Sequence, residues 1–424
     1  MSSLHYLILS SSGKPIFSTH PTLSMTSSAA TSTLLSFSES LNLPLQSLIT
    51  PQKSLYILKK SSLYLLCEYT SSSPSSSPPA TSLITLTLEY LYLQILFTLT
   101  SKVHTIFKKS PSFDLRGMLG ATEGVMNNLV YERKGAFVTQ AVESVKMKKN
   151  VRDEVTHSLK QITVRIPLTL YGLLLSSSRL LSLLLPQNND LCPLTSDLHL
   201  LINFIEEGKG GLMKSESWVP VCLPGFREEG FLYAYICCLH HPTSLFLVLI
   251  SSENDPSQFF QFQNAKDALI KHLRLDDGIN GDESLPPSPI ITSLLSPPSN
   301  TSLLKSYAPG LLHFLYKRTG KISVKLESEF IFPVIEKECY ECYSYLIRSI
   351  RVNSGLEGLR EEGKGEGYII KGAMMYVIVG EGGKEVMACL GKEVGVREGF
   401  RRVRRCRERV DEDEEEVFFR EERF

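Results

Sequence analysis

The chain opens on a stretch, LHYLILSSSGKPIFS at residues 4–18, whose two apolar runs flank a short turn around Ser12 and Gly13. Apolar runs separated by a few turn residues are typical of two antiparallel strands, so this stretch predicts a hairpin. An amphipathic helix, two short strands and a long helix are expected to follow, at about 28–42, 54–60, 62–70 and 82–108. The order predicts a first unit in which helices flank a sheet.

A similar order of strands and helices recurs twice further along the chain, which predicts an α+β fold of three consecutive units. The repetition is one of architecture, because the residues themselves show no periodicity. Segments rich in serine and proline mark a mobile loop at 70–81 and a linker at 276–304. The expected domains are residues 1–135, 136–275 and 305–424, and the last of them ends in a charged tail.

The composition describes a globular chain without a strong electrostatic preference for one class of partner. Its 424 residues include 45 lysines and arginines and 45 aspartates and glutamates, so no net charge attracts nucleic acid. Nine cysteines without repeated spacings fit a reducing, cytosolic setting. The N-terminus reads as a strand rather than a signal peptide. The apolar segment 83–100 contains Glu89 and Gln94, which favours a buried helix over a membrane span.

The sequence contains no arrangement of residues that is typical of an enzyme's catalytic site. The motif CYEC at Cys339 and Cys342 has no second pair of ligands, so two half-buried thiols on a helix are favoured over a zinc site. The stretch VIVGEGGKE at 377–385 departs from the spacing of a phosphate loop and predicts a hairpin turn. His240 and His241 are adjacent, so they point to opposite faces of a strand. We therefore expect no catalytic residue, cofactor or metal.

Residues 110–134 have the outline of a helix but contain Gly117, Gly120 and Gly124. Each glycine inside a helix costs about 1 kcal/mol relative to alanine, so about 3 kcal/mol has to be recovered elsewhere. Their spacing of three and four residues places them on one strip, where another backbone can approach closely. Close helix packing is therefore the expected role of these glycines, and an irregular loop is the alternative.

Several surface features have more than one interpretation. Trp218, the only tryptophan, suits either the core or an exposed docking site. A basic cluster forms either a solvated face or a contact with an anionic membrane, and it consists of Lys146, Lys148, Lys149 and Arg152. Adjacent basic and acidic blocks in the C-terminal tail favour self-neutralisation or disorder. The candidate phosphorylation sites are serines that precede prolines, namely Ser73, Ser77, Ser288 and Ser296.

Six segments occur in an order that resembles the SAND family, which comprises the Mon subunit of the Mon/Ccz vacuolar fusion complex. They run from about residue 4 to residue 350 and read LHYLILSSSGKPIFS, LEYLYLQILFTLT, FDLRGMLGATEGVMNNLV, TSDLHLLINFI, ESWVPVCLPGFREEGFLYAYICCL and LLHFLYKRTG. An ordered series of this kind is much more specific than any one of its members. The match weakens after residue 350.

The resemblance implies three longin domains in series, each a five-stranded, mainly antiparallel sheet with flanking helices, the third divergent or incomplete. It implies a heterodimer with a Ccz-type longin subunit that acts as guanine nucleotide exchange factor for a late-endosomal Rab GTPase. An early-endosomal Rab and anionic phosphoinositides would recruit this cytoplasmic complex to late endosomes and the vacuole. The alternative is a longin scaffold or tether that binds Rab GTPases without exchange activity.

The family places the GTPase-binding surface on the first longin domain, together with its counterpart in the partner. In this chain we expect it at the opening hairpin and the first helix, with Lys14, Pro15, Ile16, Phe17, Leu34 and Phe37. Trp218 is the candidate for docking the recruiting Rab, and the basic cluster is the candidate for lipid contact. A surface of this kind acts by complementarity alone, so no bond chemistry is expected.

Overall fold

The chain divides into two compact units in the structure, which is a computed structural model. One unit comprises Met1–Val138 with Cys222–Gly230, and the other comprises Thr139–Val221 with Phe231–Phe424. The structure describes residues 3–20, 24–71, 81–131, 139–188, 191–275, 288–295, 300–320, 322–332, 335–353, 365–419 and 421–424. Most of the serine- and proline-rich loop lies outside these ranges, as do Ser73, Ser77 and Ser296.

The first unit contains an antiparallel sheet of five strands in the spatial order β2-β1-β5-β4-β3. The strands are β1 (Ser3–Ser10), β2 (Pro15–Ser18), β3 (Ser47–Ile49), β4 (Lys53–Lys60) and β5 (Leu63–Thr70). The apolar runs of the opening stretch pair as β1 and β2, which confirms the predicted hairpin. Strands β2 and β3 form the two edges of this sheet.

Among the described residues of this unit, five helices accompany the first sheet. They are α1 (Ser24–Ser40), α2 (Thr81–Leu99), α3 (Lys102–Lys109), α4 (Arg116–Leu119) and α5 (Glu123–Tyr131). The prediction of a single long helix at 82–108 is wrong. The helix is interrupted between α2 and α3 at Thr100, whose φ is 63°. A left-handed residue cannot continue a right-handed helix.

Within the described residues, α2 is one helix whose length and apolar composition would allow it to cross a membrane. Its apolar side chains Ile84, Leu88, Leu91 and Ile95 are at most 1% exposed. They belong to the core that also contains residues of β1 and β5. The helix therefore has the burial of a core helix, in agreement with the interpretation from sequence.

The second sheet is built from residues of the middle of the chain. Its strands are β7 (Thr169–Ser176), β8 (Arg179–Leu185), β9 (Ser217–Val221), β10 (Leu232–His240) and β11 (Leu245–Ser251), preceded in the chain by the short strand β6 (Val142–Glu143). The helices of this region are α6 (Lys149–Thr163), α7 (Thr195–Leu212), α8 (Pro256–His272) and α9 (Pro289–Leu295). The five strands lie in the order β8-β7-β11-β10-β9.

The third sheet uses the last third of the chain. Its strands are β12 (His313–Arg318), β13 (Val324–Glu327), β14 (Gly365–Lys371), β15 (Met374–Glu381) and β16 (Lys384–Gly391), and the short strand β17 (Glu421–Arg423) ends the chain. The helices are α10 (Asn300–Tyr307), α11 (Glu336–Asn353), α12 (Val396–Glu412) and α13 (Glu414–Val417). The five strands lie in the order β13-β12-β16-β15-β14.

All three sheets share one topology. When the five strands of each sheet are numbered in chain order, their spatial order is 2-1-5-4-3 in every case. A helix joins the second strand to the third, and another follows the fifth strand. We call these the first, second and third modules. The predicted α+β fold with a repeated architecture is therefore confirmed.

The second and third modules exchange short strands within their common unit. Strand β6, which leads into the second module, pairs in parallel with β13 of the third. Strand β17, at the end of the third module, pairs in parallel with β8 of the second. Each exchanged strand becomes the sixth strand of the sheet that receives it.

The C-terminal tail is ordered, contrary to the expectation of disorder. Val417, Phe418 and Phe419 are at most 1% exposed. The acidic run also forms ion pairs beyond its own helix, because Glu414 lies 2.9 Å from both Arg318 and Lys384. Neutralisation therefore comes from other parts of the fold rather than from the adjacent arginines.

Candidate interaction surfaces

The first module carries a group of exposed apolar side chains on α1 and on the edge strand β3. Phe37 is 63% exposed and Leu34 is 46% exposed. We call this group the α1–β3 surface, and it consists of Leu34 and Phe37 on α1, Leu41 and Leu43 between the two elements, and Leu48 and Ile49 on β3. Single exposed apolar residues are normal, but six of them within residues 34–49 indicate an interaction site.

The opposite side of α1 fixes the helix to the sheet. Leu35 is 3% exposed and packs with Leu7, Leu9 and Ile57. Glu39 accepts hydrogen bonds from Lys59 Nζ and from the hydroxyl group of Tyr64. The hydrogen bond from Lys59, together with the one from Tyr64, lowers the pKa of Glu39, so this carboxylate stays charged. The exposed residues of α1 are thus presented on an anchored helix.

The opening hairpin is less accessible than the sequence prediction requires. Ile16 is 7% exposed and Phe17 is 5% exposed, and both belong to the core of the first module. Packing against the core uses most of their apolar surface, and their place in a GTPase interface stays a prediction. Lys14 is exposed, and its Nζ donates to the backbone oxygen of Ser112 at 2.6 Å. Pro15 is partly exposed.

A groove runs between the edge strand β2 and the segment that contains α4 and α5. Its volume is about 240 Å³. We call it the β2 groove, and its lining residues are Pro15, Ile16, Phe17, Ser18, Arg116, Leu119, Gly120, Glu123 and Met126. The groove therefore combines an apolar floor with one basic and one acidic side chain.

Trp218 lies on the edge strand β9 and is half-buried. Its ring stacks on Tyr233 with 5.9 Å between the ring centroids and meets Phe259 edge to face. Its Nε1 donates to Asn254 Oδ1 at 3.0 Å. The indole thus contributes to packing, and the substitution Trp218→Lys would disturb folding and docking together. Docking of a recruiting Rab at Trp218 stays a prediction.

Two members of the basic cluster are paired with the acidic tail. Lys146 Nζ lies 3.5 Å from Asp413 Oδ2, and it also lies 4.5 Å from the centroid of the Tyr307 ring. Lys149 Nζ lies 2.6 Å from Glu415 Oε2. Both lysines have neutralising partners within the chain, which weakens the case for a lipid contact here.

Arg152 is a structural residue, so its assignment as a lipid contact is wrong. Its side chain is 3% exposed and donates to the backbone oxygens of Val145, Leu181 and Glu416. Burial lowers the pKa of the guanidinium to about 10. A buried guanidinium that is bound to three carbonyl groups cannot reach a membrane surface. Lys148 is the exposed residue of the cluster that remains as a candidate.

The sequence prediction missed a second basic surface, on α12. This helix buries Gly399, Val403, Cys406 and Val410. Between Val396 and Arg407 it contains six arginines and one glutamate. The exposed members form what we call the α12 arginine surface, namely Arg397, Arg401, Arg404 and Arg405. The sequence interpretation of the tail used only the balance of its charges. The positions of the arginines around the helix show that they share an exposed side.

The glycine-rich segment does not provide the close packing expected of it. It forms α4, a 3₁₀ turn at Gly120–Thr122 and α5 instead of one helix. Gly117 and Gly120 are exposed, and a Cβ atom added to either would meet no atom within 4 Å. Gly124 is half-buried. Close packing is therefore wrong for Gly117 and Gly120, because open space faces both of them.

The substitution Gly120→Ala is expected to stabilise the first unit by about 0.4–1 kcal/mol, because alanine restricts the unfolded chain. Gly120 has φ −54° and ψ −31°, which alanine adopts without strain. Native-state hydrogen exchange of the β5 amides measures the change for this unit. The control is Gly13→Ala, where φ is 80° and the new Cβ would lie 2.4 Å from Ser32 Oγ, so stability should fall. A destabilising Gly120→Ala would restore the packing role.

The thiols of the CYEC motif are buried on α11. A hydrogen bond with Cys389, together with burial, raises the pKa of Cys339 far above its usual range, and burial raises the pKa of Cys342 to about 11. Both thiols therefore stay protonated and are poor nucleophiles. Among the residues that the structure describes, no group of three or more histidine, cysteine or acidic side chains is arranged to hold a metal.

Ser288 is wrong as a phosphorylation site. Its side chain is 1% exposed, and its hydroxyl group donates to the backbone oxygen of Leu273 at 2.7 Å. A phosphate group at this position would have to be buried, which is costly for a charged group.

Comparison with known proteins explains the repeated topology. A family model described as the first longin domain of FUZ, MON1 and HPS1 matches residues 4–129, and the model of their second longin domain matches residues 168–271. A curated relative over much of the chain is "Vacuolar fusion protein MON1" of Yarrowia lipolytica, which is 30% identical over 263 residues. The chain belongs to the MON1 family.

Other MON1 relatives extend the match along the chain. "Vacuolar fusion protein MON1 homolog A" is 27% identical over 350 residues both in Gallus gallus and in Homo sapiens, and each alignment covers 81% of this chain. The alignments cover 60% of the Gallus gallus protein, 50% of the human protein and 43% of the Yarrowia lipolytica protein. The Yarrowia lipolytica alignment covers 60% of this chain. The chain thus spans about half the length of these MON1 relatives.

The matches to MON1 longin domains fall on the first and second modules. The third module, with α12, follows residue 271 and lies outside both family models. It nevertheless has the strand order of the other two modules. The longin fold expected from the resemblance is confirmed for the first two modules, and the third is a divergent copy by its topology.

Proposed function

We propose that this chain is the MON1-type subunit of a heterodimeric guanine nucleotide exchange factor for a late-endosomal Rab GTPase. In this function it would promote endosome maturation and fusion with the vacuole or lysosome. The relatives are named vacuolar fusion proteins, and these names support a function at the vacuole. The observation that carries the proposal is the α1–β3 surface, because apolar side chains on an anchored helix need a protein partner.

The physics of nucleotide exchange fits a protein that acts through surfaces. An exchange factor binds the nucleotide-free GTPase more tightly than the loaded form, and by linkage it lowers nucleotide affinity by the same factor. This requires a pre-shaped face rather than acid, base or nucleophile. The anchored α1 is consistent with such a face.

A Ccz-type longin subunit is the proposed partner of the α1–β3 surface. Phe37 and Leu34 supply large apolar side chains on one side of α1, where interface hot spots are usually found. Leu48 and Ile49 lie on β3, whose outer edge offers backbone groups for pairing. The Rab would bind the first module together with this subunit, and an early-endosomal Rab would recruit the complex.

The relative affinity for nucleotide-free and GDP-loaded Rab distinguishes an exchange factor from a tether. The purified two-subunit complex is expected to bind nucleotide-free late-endosomal Rab at least about 100-fold more tightly than the GDP-loaded form, a coupling of about 3 kcal/mol. Surface-immobilised Rab with and without nucleotide measures the two affinities. Equal affinities would contradict exchange and favour the longin scaffold.

Peripheral attachment to an anionic membrane is the remaining part of the proposed function. We assign it to the α12 arginine surface, because four exposed arginines share one side of this helix, of which Arg401 also pairs with Glu398 and Arg404 with Glu366. Near the helix, Tyr368 on β14 is 48% exposed and contacts Phe400 with 6.1 Å between the ring centroids. Exposed arginines beside an aromatic side chain are typical of a surface that rests on lipid headgroups.

The triple variant Arg397→Glu, Arg401→Glu, Arg405→Glu is expected to reduce binding to phosphoinositide-containing vesicles at least tenfold. Each basic residue near an anionic surface contributes about 1 kcal/mol, and reversal adds repulsion. Co-sedimentation with vesicles at physiological salt measures the change. The control is Lys146→Glu with Lys149→Glu, which should change vesicle binding much less. Unchanged sedimentation of the triple variant would remove α12 from the membrane surface.

A further inference from the structure

The second and third modules each receive an added strand at the same position of the fold. Strand β17 lies parallel to β8, which is the second strand of its module, and β6 lies parallel to β13, the second strand of the next. In both cases the added strand donates to the carbonyl groups of the edge. Val142 donates to the oxygen of Ser323 at 2.9 Å, and Phe424 donates to the oxygen of Leu185 at 3.1 Å.

The corresponding edge of the first module is β2. In the part of the chain that the structure describes, β2 pairs with β1 and with no strand on its outer side. The amide of Thr19 donates inward to the oxygen of Tyr6, so the amide and carbonyl groups of Ser18 point outward. The β2 groove lies beside this edge and has room for side chains.

We propose that the outer edge of β2 receives an extended segment of a partner longin subunit, which lies parallel to β2 as a sixth strand. The inference rests on the heterodimer proposed above and assigns a second contact to it. Main-chain hydrogen bonds to the edge would supply affinity, and the β2 groove would select the side chains. An apolar residue fits beside Leu119 and Met126, and the flanking Arg116 and Glu123 favour charged neighbours.

The strand exchange between the second and third modules indicates that the added strand at β2 comes from another longin chain. Each of these modules gives a short strand to the second strand of the other. The exchanged segments are flanked by buried apolar residues, such as Val145 and Met147 after β6 and Phe418 and Phe419 before β17. Two longin modules are thus joined by reciprocal addition of parallel strands. Within the described residues, the first module has the same edge without a further strand, and a longin partner can complete it in the same way.

The test measures hydrogen exchange of the chain alone and in complex with the Ccz-type subunit. Complex formation is expected to slow exchange of the Ser18 amide at least tenfold. The variant Gly120→Arg places a long side chain in the β2 groove and should weaken the complex at least tenfold. The matched control is Gly117→Arg, because Gly117 is equally open but does not line the groove. Its affinity should equal that of the unaltered chain.

Three other outcomes would overturn the inference, and each of them can be distinguished from the others. A complex that depends on Phe37 but leaves Ser18 exchange and the Gly120→Arg affinity unchanged would disprove the β2 contact while the proposed function stands. A chain that forms no complex would remove both. Dimers of the isolated chain in light scattering, with protection of Ser18, would identify a second copy as the occupant instead of the partner subunit.

Discussion

The variant Phe37→Asp is expected to weaken binding of the Ccz-type subunit at least about 30-fold. Phe37 belongs to the α1–β3 surface and is 63% exposed. Truncation of an aromatic hot spot costs 2 kcal/mol or more, and a carboxylate buried without a partner adds to that cost. The same exposure predicts a change in the free energy of unfolding within about 0.5 kcal/mol. Titration calorimetry with the purified subunit measures the affinity.

Phe260→Asp provides the matched control for this variant. Phe260 lies on α8 of the second module and is 62% exposed, so the chemical change and the exposure are nearly identical. Its affinity for the subunit should equal that of the unaltered chain. Equal effects at Phe37 and Phe260, or no effect at Phe37, would show that the α1–β3 surface does not bind the subunit.

The variant Phe418→Ala is expected to destabilise the second unit by about 3–5 kcal/mol, the usual cost of removing a buried aromatic ring. Phe418 is 1% exposed. Its ring lies 5.5 Å from the Tyr316 ring and 5.0 Å from Arg318 Cζ. The residue lies three positions before β17, so its loss should also loosen the strand exchange between the second and third modules.

The fluorescence of Trp218 reports this change specifically. Trp218 is the only tryptophan of the chain and lies in the same unit as Phe418. Urea denaturation followed by tryptophan fluorescence should show a lower midpoint for Phe418→Ala. The control Phe332→Ala removes a ring that is 51% exposed and should shift the midpoint little. Equal midpoints for Phe418→Ala and the unaltered chain would show that the tail does not stabilise this unit.

The sequence predicts the repeated fold because local patterns determine it. The apolar runs at β1 and β2 flank a short turn, and this signal depends on neighbouring residues alone. The exposure of Leu34 and Phe37 can be inferred in part from a local pattern as well, because α1 has apolar residues on more than one side. A helix that is apolar beyond its core-facing side indicates a second contact.

The remaining features depend on contacts between residues far apart in the chain. Arg152 is basic and close to three lysines in sequence, but its hydrogen-bond acceptors lie at Leu181 and Glu416, which no local pattern connects to it. Strand β17 reads as a charged end, Glu421–Arg423, with little β propensity. It is a strand because β8 offers a free edge and Phe418 and Phe419 anchor the chain beside it.

Release of labelled GDP from the late-endosomal Rab shows whether the first module and its partner act on a GTPase through surface complementarity. The complex is expected to accelerate release at least about 100-fold over the intrinsic rate, and Phe37→Asp is expected to abolish this acceleration at subunit concentrations that saturate the unaltered complex. Release at the intrinsic rate with a folded, fully assembled complex would disprove exchange by this surface.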